Sequence, residues 1–247
     1  MRIDLQGRVV LVTGAGSGIG RAMALAFAAA GASVRVNDLS EAAAAATVDA
    51  IRAQGGSGHA APADVTRAGA VTAMVEAIIA AEGRLDCLVN NAAIVQVKPF
   101  LELEEEDWDR VLTTNLKSVF LTCRAVLPQM QKQGSGVVIN LASELAYLGR
   151  ALYAPYTAAK GGVISLTRSL AREFAPAIRV NGIAPGPVDT PMLRSEMALT
   201  GADETTIPAG RLGRPEEIAA TAVFLASDAA GFFHGEILSP NGGSLMR

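Results

Sequence analysis

The stretch VVLVTGAGSGIG, residues 9–20, decides the fold of this chain. Its consecutive apolar residues, rich in β-branched valine, predict a strand that is covered on both faces. The glycines that follow permit a tight turn and open a helix whose free N–H groups would face a pair of phosphates. A glycine-rich turn alone is weak evidence, but its position between a strand and a helix strengthens the interpretation as a dinucleotide-binding turn.

An acidic residue follows this turn at the distance that dinucleotide binding requires. Asp38 ends the second predicted strand, eighteen residues after Gly20. A carboxylate there would accept hydrogen bonds from a ribose diol and repel a 2′-phosphate, which favours NAD over NADP. The alternative is a turn residue before the next helix. Asp64 and Val65 follow the third strand, where an adenine could be held, although a plain turn before an N-cap at Thr66 explains them nearly as well.

Short β-branched runs alternate with longer alanine-rich helical patterns along the chain, which predicts an α/β fold with a parallel sheet wound on both faces. Strands are expected at residues 9–13, 33–38, 87–90, 137–142, 178–184 and 236–239, with a weaker one near 59–64. Helices are expected at residues 18–30, 41–54, 67–82, 104–132, 153–174 and 215–226. Residues 187–210 lack a clear period and are interpreted as a mobile loop or lid.

The composition argues against several functional classes. The net charge is -3 and no basic stripe is present, so neither nucleic acid nor a membrane surface is an expected partner. With only two histidines, no metal site and no histidine-based catalysis are expected. Cys87 and Cys123 lie in apolar stretches, as expected for buried free thiols of a cytoplasmic protein. No apolar stretch reaches the ~18 residues of a membrane span.

Tyr156 and Lys160 are candidates for acid–base chemistry. Positions four apart share one face of a helix. A phenol with a pKa near ~10 is a poor proton donor or acceptor at neutral pH. A cation ~4 Å away would favour the phenolate by ~4 kcal/mol at an effective dielectric of ~20, which would lower the pKa by about 3. Ser143, thirteen residues before Tyr156, could hydrogen-bond the same substrate oxygen. An exposed tyrosine and a solvated lysine are the alternative.

Together these features resemble the short-chain dehydrogenase/reductase family, in its compact single-domain branch, over essentially the whole chain. The motifs that match are Thr13-Gly14-x-x-x-Gly18-x-Gly20, Asn90-Asn91-Ala92, Arg179-Val180-Asn181, Pro185-Gly186 with Val188 and Thr190, and Asn241-Gly242-Gly243. The resemblance implies a doubly wound seven-stranded parallel sheet (a Rossmann fold) in three α/β/α layers. It also implies one NAD(P)-binding domain over residues 1–247 and a homotetramer in which two long helices pair across two-fold axes.

The resemblance further implies a catalytic set of Asn115, Ser143, Tyr156 and Lys160. Tyr156 would exchange the hydroxyl proton of the substrate, and Lys160 would lower the pKa of Tyr156 and hold the nicotinamide ribose. Ser143 would anchor the carbonyl oxygen, and Asn115 would fix a water that links Lys160 to solvent. The hydride chemistry belongs to the cofactor, while the protein supplies position and electrostatics.

The expected cofactor is NAD. Its expected contacts are Gly14, Ser17, Gly18, Ile19, Gly20, Asp38, Asp64, Val65, Asn91, Ala92, Tyr156, Lys160, Pro185, Gly186, Val188 and Thr190. The substrate pocket is expected to contain Gln96, Glu144, Tyr153 and Leu193, with Ile94, Tyr147 and Met197 as further candidates. Two departures from the family pattern are Ala93, where a glycine is usual, and Glu144, an unusual acid beside the catalytic serine.

Three functions remain open. The first is NAD-dependent interconversion of a secondary alcohol and a ketone in a free small molecule. The second is 3-oxoacyl-[acyl-carrier-protein] reduction, a subgroup that residues 208–213 resemble. Asp38 disfavours it, as do Gly134 and Ala177, which stand where those reductases carry arginines that dock the carrier protein. The third is a non-catalytic dinucleotide-sensing protein, which the intact catalytic set disfavours.

Overall fold

The structure, a computed structural model, describes residues 3–200 and 207–246. Seven strands form one sheet: β1 Val9–Val12, β2 Ser33–Val36, β3 Ser57–Ala60, β4 Cys87–Asn90, β5 Gly136–Leu141, β6 Ile178–Ile183 and β7 Ile237–Leu238. All neighbouring pairs are parallel, in the order β3-β2-β1-β4-β5-β6-β7. The predicted doubly wound seven-stranded sheet is therefore confirmed. The strand order reverses between β1 and β4, and ligands of open α/β sheets bind at the carboxyl ends of the strands around such a point.

Helices cover both faces of the sheet. They are α1 Gly18–Ala29, α2 Glu41–Ala53, α3 Ala68–Glu82, α4 Glu105–Leu112, α5 Ser118–Gln133, α6 Leu145–Leu148, α7 Ala154–Phe174, α8 Pro191–Thr200 and α9 Pro215–Ala226. Alternate residues of β1 enter different cores: Val10 and Val12 pack with α1, α2 and α9, while Val9 and Leu11 pack with α3, α5 and α7. Because both faces are covered, β1 is apolar at consecutive positions, as its sequence predicted.

The single helix predicted over residues 104–132 is wrong. It divides into α4 and α5, which are joined by a π-helical turn, Thr113–Lys117. Such a turn shifts the hydrogen-bond register while the chain stays helical, so the apolar period hardly changes and the sequence gives no sign of it. Asn115 lies in this turn and is fully buried.

The interpretation of residues 187–210 as a loop is also wrong in part, because α8 occupies Pro191–Thr200. Residues 201–206 of this segment lie outside the described residues. The Thr190 Oγ1 atom accepts a hydrogen bond from the Leu193 N–H group at 3.2 Å, and Pro191 is the first helical residue. Threonine before proline is thus an N-terminal helix signal that the weak apolar period obscured.

Two boundaries near β3 differ from the prediction. The strand lies at Ser57–Ala60, closer to the N-terminus than residues 59–64, and α3 begins after an N-cap at Arg67 rather than Thr66. The Thr66 hydroxyl group instead donates to Asp64 Oδ1 at 2.6 Å. The four-residue helix α6 was not predicted, since one turn has no detectable period.

Among the described helices, none combines the length and the apolarity needed to cross a membrane.

Candidate active site

The glycine-rich turn connects β1 to α1 and forms one wall of a cleft at the carboxyl ends of the strands. Gly14 and Gly18 adopt positive φ angles of +61° and +52°, which side chains with a Cβ rarely adopt. Ser17 is the N-cap of α1, and its side chain makes no capping hydrogen bond. The first N–H groups of α1 are therefore left for a bound anion.

The end of β4 holds this turn in place. The Asn91 side-chain amide donates to the carbonyl oxygens of Thr13 and Gly14 at 2.9 and 3.0 Å. In the opposite direction, the Thr13 hydroxyl oxygen accepts from the backbone N–H groups of Asn91 and Ala92 at 3.0 and 3.1 Å. These four hydrogen bonds make the turn a rigid surface rather than a mobile loop.

Asp38 lies in the same cleft, just beyond β2. Its Oδ2 atom accepts from the Gly16 N–H group at 2.9 Å, and its Oδ1 atom accepts from the Ser40 N–H group at 3.0 Å. The carboxylate is thus fixed beside the glycine turn. Its chain neighbour Leu39 is 77% exposed and supplies no positive charge.

Ser143, Tyr156 and Lys160 line the cleft beyond the glycine turn. Ser143 follows β5, while the other two lie one turn apart on α7. The Lys160 Nζ atom lies 5.8 Å from the centre of the Tyr156 ring and donates to the Leu141 carbonyl oxygen at 2.7 Å. The shared helical face predicted from the sequence therefore brings these groups together.

The electrostatics of this group differ from the expectation. Burial raises the pKa of Tyr156 to about 12, and a hydrogen bond with Ser143 only partly offsets this effect. Burial likewise lowers the pKa of Lys160 to about 8. The expected lowering of the phenol pKa is therefore not found in this geometry, because desolvation of the buried phenol raises its pKa.

The buried ammonium group of Lys160 should make stability depend on pH. Its pKa of about 8 lies below the ordinary 10.5, so between these values the unfolded chain binds more protons and stability rises with pH. The difference in unfolding free energy, wild type minus Lys160→Met, should increase by up to about 1.4 kcal/mol per pH unit in this window. Urea unfolding of both proteins between pH 7 and about 10 measures this difference.

The difference between the two proteins is needed because burial raises the pKa of Cys87 and of Cys123 to about 12. These thiols stay protonated in the folded state while the unfolded chain loses their protons, so stability falls at alkaline pH in both proteins. A difference that stays constant with pH would show that Lys160 is not desolvated.

Asn115 lies behind the cleft rather than in its wall. Its Oδ1 atom accepts from the Ile94 N–H group at 2.9 Å, and its Nδ2 atom donates to the Ile94 carbonyl oxygen at 2.8 Å. The asparagine thus fixes the segment after β4 to the π-helical turn. Its role in holding a water stays a prediction.

The cleft brings together most of the residues expected to bind cofactor and substrate. Those that line it are Gly14, Ser17, Gly18, Ile19, Gly20, Asp38, Asn91, Ala92, Ser143, Glu144, Tyr156, Lys160, Pro185, Gly186, Val188, Thr190 and Leu193.

Several expected site residues lie elsewhere. Asp64 accepts hydrogen bonds from Thr66 and Arg67, as the turn alternative required. Val65 is buried in a small apolar cluster. The Gln96 side chain accepts from Arg110 on α4, and Met197 lines a separate groove.

Tyr153 is buried behind the cleft, where its phenol hydrogen-bonds Glu196.

Two charged residues also line the cleft. Sequence reasoning missed Arg150, and it expected Glu196 only in a segment overhanging the pocket. Arg150 follows α6 and Glu196 lies on α8, the two helices that were not predicted. The Arg150 guanidinium carbon lies 4.9 Å from the centre of the Tyr153 ring, and burial raises the pKa of Glu196.

The residues at the glycine-turn end fit a nicotinamide dinucleotide. A Cβ atom at Gly16 would lie 2.7 Å from Asp38 Oδ2. Only glycine therefore lets the carboxylate lie directly against the backbone of the turn. The helix N-terminus suits a pyrophosphate, and Asp38 suits a ribose diol.

The chain is similar to known oxidoreductases. The protein-family model described as enoyl-(acyl carrier protein) reductase matches residues 14–244. The 3-oxoacyl-[acyl-carrier-protein] reductase FabG of Vibrio cholerae is 41% identical over 249 residues, with 99% of this chain and 100% of that protein covered.

Solved structures agree with this similarity. A short-chain type dehydrogenase/reductase from Mycobacterium marinum superposes with a TM-score of 0.95 at 35% identity, covering 99% of this chain and 98% of that one. A 7α-hydroxysteroid dehydrogenase complexed with NADH and 7-oxo glycochenodeoxycholic acid gives 0.92 at 35% identity, covering 100% and 97%.

Proposed function

The chain belongs to the short-chain dehydrogenase/reductase family, and we propose that it is an NAD-dependent oxidoreductase acting on a secondary alcohol or ketone of a free small molecule. The observation that carries this proposal is the meeting of Ser143, Tyr156 and Lys160 in one cleft with the glycine turn. The cofactor, when bound, supplies the hydride chemistry.

Tyr156 is the proposed acid–base group at the substrate oxygen. Because burial raises its pKa to about 12, the phenol carries its proton at neutral pH and is ready to donate it during ketone reduction. Oxidation of an alcohol needs the phenolate, so its rate should rise with pH. Ser143 would hydrogen-bond the same oxygen, and Lys160 would hold the nicotinamide ribose.

Asp38 supports NAD as the cofactor. Its carboxylate is fixed by two backbone N–H groups at the end of the cleft where the adenosine ribose would lie. A 2′-phosphate there would face this negative charge. In the 7α-hydroxysteroid dehydrogenase the bound cofactor is NADH.

Removing the charge of Asp38 should relax the cofactor preference. We expect Asp38→Ala to raise kcat/KM with NADP⁺ relative to NAD⁺ by about 10- to 100-fold, because repulsion of the phosphate is lost. The matched variant Asp38→Asn keeps the size and one acceptor oxygen and should shift the ratio in the same direction. The measurement uses a panel of secondary alcohols, polyols and sugars. Equal or better use of NADP⁺ by the wild type would refute the proposed cofactor.

The second candidate is a 3-oxoacyl-[acyl-carrier-protein] reductase, which the similarity to FabG favours. An acyl carrier protein is acidic and needs a basic surface near the cleft. Gly134 and Ala177 provide none, although Lys132, Arg168 and Arg172 are exposed.

The two candidates are separated by comparing acetoacetyl-carrier protein with free ketones, each with NADH and NADPH. We expect the free ketones that are substrates to be reduced with a higher kcat/KM than acetoacetyl-carrier protein. A kcat/KM for the carrier-bound substrate well above that of every free ketone would establish the reductase instead. Absence of turnover on all of them would favour the third candidate, a dinucleotide-sensing protein.

We also propose a cytoplasmic homotetramer. The two cysteines are unpaired, which fits a reducing compartment. Much of the apolar surface of α5 and α7 is buried within the chain, but Phe120 on α5 remains 46% exposed. This ring would pack in an interface between copies. Light scattering that gives the mass of a 25.4 kDa monomer at micromolar concentration would contradict the tetramer.

A further inference from the structure

Glu144 is a buried carboxyl group in the wall of the cleft. It follows Ser143 directly and is only 5% exposed. Its backbone N–H group donates to the Pro185 carbonyl oxygen at 3.0 Å, which ties it to the end of β6. Glu144 lines the same cleft as Ser143, which would touch the reacting oxygen.

The hydrogen-bonding capacity of Glu144 is only partly used within the described residues. The Ser244 hydroxyl group donates to its Oε2 atom. A carboxylate offers about four acceptor sites, and burial raises the pKa of Glu144 because the charged form is desolvated. A substrate that displaced water from this group without donating a hydrogen bond would leave it unsatisfied, which disfavours binding of that substrate.

The charged groups around Glu144 favour a neutral hydroxyl donor. The carboxyl of Glu196 lies close enough to raise the pKa of Tyr156, and Arg150 acts to lower the pKa of both carboxyl groups. The carboxyl groups of Glu144 and Glu196 outnumber the single guanidinium group of Arg150, so this part of the cleft would repel an anionic substrate. Apolar contacts are supplied by Leu145, Met192 and Leu193, which suit the carbon chain of a small molecule.

We propose that Glu144 is a specificity-determining residue that accepts a hydrogen bond from a second hydroxyl group of the substrate. The enzyme then prefers vicinal diols and polyols to simple secondary alcohols. The inference rests on the proposed function, because it assigns the substrate class of the same site. A site built to bind a hydroxyl group strongly rejects an analogue that lacks it.

The test compares matched pairs of alcohols: 2,3-butanediol with 2-butanol, and 1,2-cyclohexanediol with cyclohexanol. Wild-type kcat/KM should favour the diol by at least about tenfold in each pair. Glu144→Leu, which keeps similar bulk, should abolish this preference or reverse it. Glu144→Gln keeps one acceptor oxygen and should retain part of the preference. Ser244→Ala removes the hydrogen bond that orients the carboxyl group but keeps the acceptor, so it should weaken the preference less than Glu144→Leu does.

A readout without turnover separates this inference from the proposed function. Each alcohol is titrated into the protein–NADH complex, and nicotinamide fluorescence reports binding. Tighter binding of diols by the wild type, lost in Glu144→Leu, supports the role of Glu144 even when no alcohol is oxidised, an outcome that contradicts only the proposed function. Equal binding and turnover of diol and mono-alcohol by the wild type, or a preference retained in Glu144→Leu, would overturn the inference. NADH affinity should be equal in all four proteins.

Discussion

Tyr156→Phe should lose about 10³- to 10⁴-fold in kcat, the upper part of the range for a general acid–base group. The substitution removes only the phenolic oxygen, so the ring still fills its place on α7. Without that oxygen, the proposed proton exchange between residue 156 and the reacting oxygen is lost. The measurement is steady-state kcat on any active alcohol, together with NADH affinity from fluorescence, which should stay within a few-fold.

The matched control is Tyr153→Phe, three residues earlier. The Tyr153 phenol hydrogen-bonds Glu196 and lies behind the cleft, so its loss should reduce kcat far less. Substantial activity in Tyr156→Phe, or an equal loss in both variants, would remove Tyr156 from the proposed role. The histidines offer no substitute, since His59 lies on β3 and His234 precedes β7.

Gly20→Ala should destabilise the fold and abolish cofactor binding together. A Cβ atom at Gly20 would lie 2.2 Å from the Gly14 carbonyl oxygen and 2.5 Å from Asn91 Nδ2. Both neighbours belong to the hydrogen-bonded clamp between β4 and the glycine turn, so they cannot move without breaking it. Overpacking of this kind costs about 1–3 kcal/mol in unfolding free energy. Urea unfolding and NADH titration measure the two effects.

Gly69→Ala provides the matched control for this variant. Gly69 is an exposed residue of α3, and an added Cβ atom there would meet nothing within 4 Å. Alanine in a helix is more favourable than glycine by about 0.5–1 kcal/mol, so this variant should be at least as stable as the wild type. A Gly20→Ala protein with wild-type stability and NADH affinity would show that the turn is less rigid than its hydrogen bonds indicate.

The parts of the fold that were predictable are those encoded by short local patterns. The strand at Val9–Val12 and the glycine turn are read from adjacent residues, and the four-residue spacing of Tyr156 and Lys160 needs only a helix. The π-helical turn around Asn115 was not predictable, because it changes the backbone hydrogen bonds while leaving the apolar pattern helical.

The substrate end of the cleft was harder to predict, for a related reason. Arg150 enters it from just after α6, which is a single turn, and Glu196 enters it from α8, whose apolar period is weak. The position of Gln96 depends on its contact with Arg110, fourteen residues away, which no local pattern specifies.

The prediction for the pKa of Tyr156 was wrong for a different reason. The sequence shows which charge lies one helical turn away, but it does not show how much solvent the fold removes from the phenol. Charge pairing alone therefore predicted the wrong direction of the shift.

The reversal of strand order divides the cleft into two parts that can be altered separately. Asp38 follows β2, which lies on one side of β1 in the sheet. Ser143 follows β5, and the helix carrying Tyr156 and Lys160 connects β5 to β6, both of which lie on the other side. A protein engineer could therefore exchange the β2 end to change the coenzyme and the β5–α7 segment to change the alcohol. The two sets of substitutions should combine nearly additively, provided that the Asn91 clamp joining the two parts is left intact.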